Sequence, residues 1–173
     1  MPEMPALIEE ATKKSDLVWV VTGGSSPITA AWHVWHNNMV YVVTGPGEQP
    51  LPPDLGVLPT CEVIVRSATN WSRIVTWEAM VWRVPPGLDE WREVVPVLLA
   101  KRLNPPDGPA AAARWEAHCT IFRLAPTGGL FEAGNSLPSE SGAEPPRATS
   151  ATSEVRVPYT LGRRRRRRRR RRR

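Results

Sequence analysis

Histidine and cysteine, two residue types that often bind metals or act in catalysis, are few in this sequence and do not form a known catalytic motif. His33 and His36 are three residues apart, and residues at that spacing on a strand point to opposite faces, so they form a poor pair of metal ligands. Cys61, and Cys119 with its neighbour His118, are interpreted as small buried residues rather than ligands. The sequence names no base that would activate Cys61 as a nucleophile. We therefore predict no metal site, and the catalytic residues stay unknown.

The common nucleotide and hydrolase signatures are also missing. The sequence contains no Gly-x-x-x-x-Gly-Lys phosphate loop, no Gly-x-Gly-x-x-Gly fingerprint and no Gly-x-Ser-x-Gly elbow. These absences argue against the commonest nucleotide-binding and hydrolase folds.

The charge of the chain is concentrated at its end. The formal net charge is +6, but residues 163–173 are eleven consecutive arginines, and the remaining chain carries 12 basic and 17 acidic residues. The body is therefore acidic, with a net charge of −5, which argues against a basic nucleic-acid-binding domain. The arginine run would contact any polyanion in a salt-dependent manner. The alternative is that a low-complexity run at a chain end has no selected role.

Composition also bears on the compartment. No apolar run approaches the ~20 residues that a membrane helix needs, so we predict no membrane span. Residues 1–16 carry charges and lack the apolar core of a secretion signal. Two cysteines are too few for a disulfide-stabilised secreted scaffold. The sequence therefore predicts a cytoplasmic protein.

Three regions follow from the distribution of aromatic residues. All eight tryptophans lie between Trp19 and Trp115, which places a folded domain at residues 5–125. Residues 126–162 contain five prolines, five serines and two aromatic residues, too little apolar surface to offset the entropy of folding. We therefore predict a disordered linker at 126–162, followed by the arginine tail at 163–173.

Within the domain, runs of β-branched and aromatic residues predict six strands. They are expected at residues 17–22, 28–36, 39–43, 60–67, 73–84 and 118–124. Asn37 and Asn38 suit a tight hairpin, because asparagine tolerates positive φ. Residues 44–59 hold five prolines and three glycines, which predicts a long irregular loop. Helices are expected at 5–15, 88–103 and 109–117, the second kinked or divided at Pro96.

Strands linked by hairpins make a mainly antiparallel sheet, and six such strands leave exposed edges unless the sheet closes. The fold class is thus mainly β (α+β), a small antiparallel barrel with flanking helices. Bulky apolar residues occupy both faces of strands 28–36 and 73–84. The outer face must then be covered by helices, by a second subunit or by a flat ligand lying against Trp32, Trp35 or Trp77.

The segment from Pro27 to Thr44, PITAAWHVWHNNMVYVVT, resembles the second and third strands of the pyridoxamine 5′-phosphate oxidase-like split barrels that bind FMN. In that family a proline begins a strand that ends in an aromatic pair, a polar turn follows, and the next strand ends in serine or threonine. The strand before Gly24, the strand around Trp77 and the closing strand fit the same pattern. The resemblance covers most of residues 7–125 and implies a six-stranded antiparallel split β-barrel.

The resemblance also implies a homodimer that holds FMN or a deazaflavin between its subunits and acts on a small-molecule substrate. Carried over by position, Thr29, Ala30 and Trp32 would lie along the ring system, with Thr44 near the phosphate. Gly45, Gln49 and Arg66 complete the predicted cofactor-binding residues. A flavin performs the redox step itself, so such a protein needs no acid or base of its own.

The segment after Thr44 departs from that pattern. Relatives place an arginine or lysine there for the phosphate, whereas Gly45-Pro-Gly-Glu48-Gln49 offers one carboxylate and no cation. Arg66, Arg73 or an arginine of a partner subunit could substitute, and the amides of Gly45 and Gly47 could approach an anion. Three hypotheses follow: a flavin-dependent oxidoreductase, a non-catalytic split-barrel binding protein that has lost the phosphate site, or an adaptor that binds polyanions through its arginine tail.

Overall fold

The computed structural model of the protein describes residues 6–23, 26–67, 69 and 72–133. The predicted arginine tail and all but the first residues of the predicted linker lie outside this part of the chain. The helices in the described part are α1 (Ala6–Lys14), α2 (Asp89–Lys101) and α3 (Ala111–His118). The strands are β1 (Leu17–Val21), β2 (Thr29–Trp32), β3 (Val34–His36), β4 (Met39–Thr44), β5 (Thr60–Arg66), β6 (Arg73–Val84) and β7 (Thr120–Ala133). No helix in these described ranges has the length and apolar character needed to cross a membrane.

The strands form one antiparallel sheet in the order β2-β1-β5-β6-β7-β4-β3. The mainly β, antiparallel fold with flanking helices that the sequence predicts is therefore confirmed. The two end strands, β2 and β3, are joined by a single residue, His33. The two ends of the sheet must consequently lie side by side at that residue, and the sheet curls round to bring them there.

The prediction of six strands is wrong by one, because the strand expected at residues 28–36 is divided at His33. His33 is 1% exposed, and its Nε2 lies 3.0 Å from the carbonyl oxygen of Thr12 on α1. Ala31 is buried on one side of this break and Val34 on the other, in two different cores. The period-two pattern continues through the break, so it gives no sign of the bend.

Three other details of the elements can be compared with the expectations. The hairpin at Asn37 and Asn38 is confirmed: both residues have positive φ, 48° and 61°, between the paired strands β3 and β4. Helix α2 is not divided, since it continues through Pro96 to Lys101. The last strand does not end at Leu124, as expected, but continues to Ala133, beyond the predicted domain boundary at residue 125.

The first hydrophobic core fills the inside of the curled sheet. It comprises Val18, Val20, Ala31, Val40, Val42, Cys61, Val63, Val65, Val75, Trp77, Ala79, Val81, Phe122 and Leu124 from the strands, together with Ile8, Ala11 and Leu55. Ile8 and Ala11 come from α1, and Leu55 comes from the long loop between β4 and β5. Helix and loop thus contribute to the same interior.

The second hydrophobic core lies on the outside of the sheet, between β3, β4, β7 and the helices α2 and α3. Its members are Val34, Tyr41, Val43, Val84, Trp91, Val94, Val95, Leu98, Ala111, Trp115 and Ile121. Strand β4 shows the alternation directly, because Val40 and Val42 enter the inner core while Tyr41 and Val43 enter the outer one. We call this side of the sheet the covered face.

The outer side of β1, β5 and β6 is different, and we call it the open face. It carries Leu17, Trp19, Val21, Glu62, Ile64, Arg66, Glu78, Met80 and Trp82. Leu17, Met80 and Trp82 remain 41%, 40% and 39% exposed. The two outer faces therefore differ in how far helices of this chain cover them.

Candidate ligand site

Several of the predicted cofactor-binding residues lie near one another at the place where β2 and β4 diverge. Strand β2 pairs with β1, and in the described part of the chain it has no strand on its other edge. The side chain of Gln49 occupies that edge: its Oε1 accepts a hydrogen bond from the Trp32 N–H at 2.6 Å, and its Nε2 donates to the Trp32 carbonyl at 2.9 Å. The same Nε2 donates to the Val43 carbonyl at 3.3 Å. One amide side chain thus links β2 to β4 in place of a strand pair, and we call this gap the split.

The backbone of β2 presents further groups to the split. The N–H and C=O of Trp32 point towards Gln49, and therefore away from β1. Backbone groups two residues apart on a strand point the same way, so Ala30 turns its own N–H and C=O to the side of the split. The Thr29 hydroxyl is directed elsewhere and donates to the Pro27 carbonyl at 3.1 Å. Of the three ring-contacting residues expected on this strand, Ala30 and Trp32 adjoin the split through their backbone.

The turn after β4 is built on close contacts of glycine. Gly45 has φ +137°, and a Cβ on it would lie 2.8 Å from Cys119 Sγ, so only glycine fits there. The Thr44 hydroxyl donates to the Gln49 carbonyl at 2.8 Å, and the Glu48 N–H donates to the Gly45 carbonyl at 3.0 Å. Thr44, Gly45 and Gln49 therefore lie close together, but Thr44 and Gln49 bond within the protein, and their predicted contact with a cofactor stays a prediction.

Glu48 holds this turn against the helices. Its side chain has no exposed surface. It accepts three hydrogen bonds of 2.9 Å, from Arg102 Nε, Arg114 Nη2 and Trp115 Nε1. Glu48, the carboxylate that stands where the resemblance implies a cation, is thus an internal acceptor for two guanidinium groups.

Each of the two arginines has several acceptors within the protein. Arg102 also donates to the Leu103 and Gly47 carbonyls, at 2.6 Å and 3.3 Å. Arg114 also binds both carboxylate oxygens of Asp107, at 2.8 Å and 3.1 Å. These bonds hold the pKa of the Asp107 carboxyl below its usual range and raise the pKa of Arg114. Two carboxylates and two guanidinium groups therefore balance one another in a closed cluster.

The charges around the turn after β4 do not favour a phosphate. The turn itself contributes a carboxylate, and the cations that reach it from α2 and α3 already hydrogen-bond Glu48, Asp107 and backbone carbonyls. Within the described residues, the side chains around the turn leave no uncommitted cation for a phosphate dianion. The phosphate of FMN therefore does not fit the turn as it stands.

The three tryptophans considered as platforms for a flat ligand have different surroundings. Trp32 is half-buried, its ring centroid 6.5 Å from that of Trp115 and 5.8 Å from the Arg102 guanidinium. Trp35 packs against the inner core. Trp77 is 0% exposed inside the curled sheet, because its position on β6 faces inward, so the expectation that it could contact a ligand is wrong. Trp32 is the member of this set that adjoins the split.

Arg66, predicted as a cation for the phosphate, lies on the open face, and its role towards a ligand stays a prediction. It ends β5, and its guanidinium lies 5.3 Å from the centre of the Trp19 ring on the open face. Strand β1 separates β5 from β2, so Arg66 is two strand spacings, about 10 Å, from β2. Its surroundings are those of the open face rather than of the split.

The partners of Glu48 are not predictable from the sequence. Arg102 follows a helix, where a cation is explained by the helix dipole alone, and Arg114 lies in an alanine-rich run. Both are more than fifty residues from Glu48 in the chain. The one local signal was Glu48 itself, which with Asp54 is one of two charged residues within a loop of prolines and glycines.

Comparisons with known proteins give likenesses of fold at low identity. No family model matches the sequence, and no curated protein matches it. HutZ, a heme storage protein of Vibrio cholerae, is 15% identical over 75% of this chain and 94% of its own, with a TM-score of 0.48. An FAD-binding protein of Mesorhizobium loti is 13% identical over 69% and 85%, with a TM-score of 0.47. ChuZ of Campylobacter jejuni is 9% identical over 82% and 64%, with a TM-score of 0.49. Likeness at this level does not define a function.

Proposed function

We propose that this chain is a split-barrel protein that binds a flat aromatic ligand of the flavin class, FMN-like or deazaflavin-like, in the split between β2 and β4. The observation that carries the proposal is the edge of β2 at Ala30, next to the part that Gln49 occupies. There Ala30 presents a backbone donor and acceptor beside Trp32, and no strand covers them in the described part of the chain. A ligand with hydrogen-bonding groups along a planar edge can pair with such a backbone edge.

The chemistry of this site follows from what the chain does and does not provide. Trp32 and Ala30 supply apolar surface and backbone groups, while Gln49 and Thr44 set the spacing of β2 and β4. A bound flavin would supply hydride or electron transfer itself, so an oxidoreductase acting on a small substrate needs only orientation from these residues. Without a flavin, the same residues form a non-catalytic binding site.

We also propose that the protein is a homodimer through its open face. Leu17, Met80 and Trp82 form exposed apolar surface on one side of the sheet. Glu62 lies directly opposite Glu78 on the neighbouring strand, and like charges in that relation are unfavourable unless a cation approaches them. A second copy covers the apolar residues, and the arginines of the same face can approach the two carboxylates.

The ligand proposal is tested by titrating the purified protein with riboflavin, FMN and a deazaflavin, following quenching of ligand and tryptophan fluorescence. We expect saturable binding by the wild type. Ala30→Leu places a larger side chain next to the backbone groups proposed to pair with the ligand and should weaken binding at least ~10-fold, the ratio that 1.4 kcal/mol represents. Ala117→Leu, the same change at an exposed position of α3, should leave it unchanged. Absence of binding for all three ligands would refute the proposal.

Two proposals rest on the sequence alone. The arginine run at 163–173 makes nonspecific contact with polyanions, as its charge predicts. RNA binding measured at rising salt, with and without these residues, tests this, and unchanged binding after truncation contradicts it. A cytoplasmic location is the second, and fractionation of the cells that produce the protein would test it.

A further inference from the structure

The surroundings of Glu48 are those of a bound oxyanion. Its carboxylate has no exposed surface and accepts hydrogen bonds from two guanidinium groups and an indole N–H, all at 2.9 Å. Charge-assisted bonds of this kind are the ones with which proteins bind carboxylate and phosphate ligands. Here the anion belongs to the chain itself.

The turn that carries Glu48 fits closely against the helices. Besides the contact of Gly45 with Cys119, a Cβ on Gly47 would lie 3.1 Å from Arg114 Nη1 and 3.2 Å from Pro106. Arg114 also donates to the Pro46 carbonyl. The backbone immediately before Glu48 is therefore held close to Cys119, Pro106 and Arg114.

Electrostatic balance opposes a second anion at this place. Glu48 and Asp107 compensate Arg102 and Arg114. A phosphate entering the cluster would either add negative charge to a balanced, largely buried group or displace Glu48, which would then lose three hydrogen bonds. Both events are unfavourable, because a buried charge without its partner costs several kcal/mol.

We propose that Glu48 occupies the anion site of this fold from within the chain, so that the split selects neutral flat ligands over their phosphorylated forms. The inference rests on the proposed function for its ligand class, and it disagrees with the FMN phosphate contact that the family resemblance implies. The preferred ligand is then a flavin without a phosphate, or another uncharged planar compound of similar width.

The first experiment compares riboflavin with FMN, which share the ring and differ in the phosphate. We expect the wild type to bind riboflavin at least ~10-fold more tightly, the ratio for a single unfavourable charge contact of 1.4 kcal/mol. Glu48→Gln removes the charge and keeps the shape, and should reduce or reverse this preference. Glu116→Gln, the same change at an exposed position of α3, should leave it as it is in the wild type.

The second experiment needs no flavin. Inorganic phosphate is titrated into Glu48→Ala and followed by the fluorescence of Trp115 and Trp32, after a thermal melt has established that the variant is folded. We expect saturable binding by Glu48→Ala at millimolar phosphate, and none by the wild type or by Glu116→Ala.

The outcomes separate the two proposals. FMN binding as tightly as riboflavin in the wild type overturns the inference about Glu48 and leaves the ligand proposal standing. If neither flavin binds, the ligand proposal fails, and the phosphate titration then decides about Glu48: a folded Glu48→Ala that takes up no phosphate overturns the inference. Should Glu48→Ala not fold, Glu48→Gln takes its place in that titration.

Discussion

The covered face and the open face of the sheet are made from similar residues but end in different surroundings. On the covered face, Trp115 and Leu98 are completely buried between α2, α3 and the strands. On the open face, Met80 and Trp82 are exposed, and Arg123 lies over the Trp82 ring at 4.6 Å. Alternation along a strand shows that an outward residue is apolar, but it does not show what covers it. Helices of this chain cover one face and leave the other exposed, and for this reason we propose the exposed face as the dimer interface.

The sharpest test of this comparison is a pair of tryptophan substitutions. Trp115→Ala removes a fully buried ring and the indole donor to Glu48, and should lower the free energy of unfolding by about 4 kcal/mol. Trp82→Ala on the open face should cost about 1 kcal/mol or less in the monomer. Urea unfolding at low protein concentration measures both. Equal losses would mean that Trp82 is buried in solution.

A second pair compares carboxylates on the two faces. Glu48→Ala leaves Arg102 and Arg114 without their shared partner and should destabilise the protein by about 3 kcal/mol. Glu62→Ala relieves a repulsion with Glu78 and should be neutral or stabilising by a few tenths of a kcal/mol. Urea unfolding again measures both, and a similar loss in the two variants would contradict the distinction between the faces.

His33, the residue between β2 and β3, predicts a pH dependence of the free energy of unfolding. Burial lowers the pKa of His33 from 6.5 to about 4, so as the pH falls the unfolded chain takes up a proton before the folded one does. The shifted pKa of His33 therefore contributes about 3 kcal/mol to the free energy of unfolding above pH 6.5, and this contribution decreases as the pH falls from 6.5 to 4.

Urea unfolding at pH 7 and pH 4.5 tests this. The decrease should be absent in His33→Gln and retained in His36→Gln. If His33→Gln keeps the full decrease, another group is responsible for it.

The smallest expected effect on monomer stability, within about 1 kcal/mol, is that of Met80→Glu on the open face. Its effect on assembly should be large, because it places a charge in the proposed apolar contact. Light scattering during size-exclusion chromatography should show a dimer for the wild type and a monomer for this variant. Val57→Glu, at an exposed loop position, serves as the control, and a monomeric wild type would refute the proposed dimer.

The parts of the fold that the sequence predicted are those with a local cause. The Asn37–Asn38 hairpin follows from residues that tolerate positive φ, and the antiparallel sheet follows from β-rich runs joined by short turns. The division of the strand at His33 could not be predicted, because it depends on a contact with Thr12 on another element. The period-two pattern of the sequence contains no information about such a contact.

The residues of the candidate site on and next to the strands were selected from the sequence, whereas its ion pairs were not. Trp32, Thr44 and Gln49 are linked by hydrogen bonds, since they flank one hairpin and the turn that follows it, and their contact with a cofactor stays a prediction. Arg102 and Arg114 come from elements more than fifty residues away, and a single sequence contains no signal of that pairing. The sequence alone also could not place Arg66 relative to the turn, because that depends on the order of strands in the sheet.

The single-residue join at His33 has a mechanical consequence for the split. If β2 moved away from β4, the backbone would have to rotate at His33, whose ring is hydrogen-bonded to the last turn of α1. The width of the gap and the seating of the N-terminal helix are therefore linked, and whatever enters the gap should change the exchange rates of amide protons in that helix.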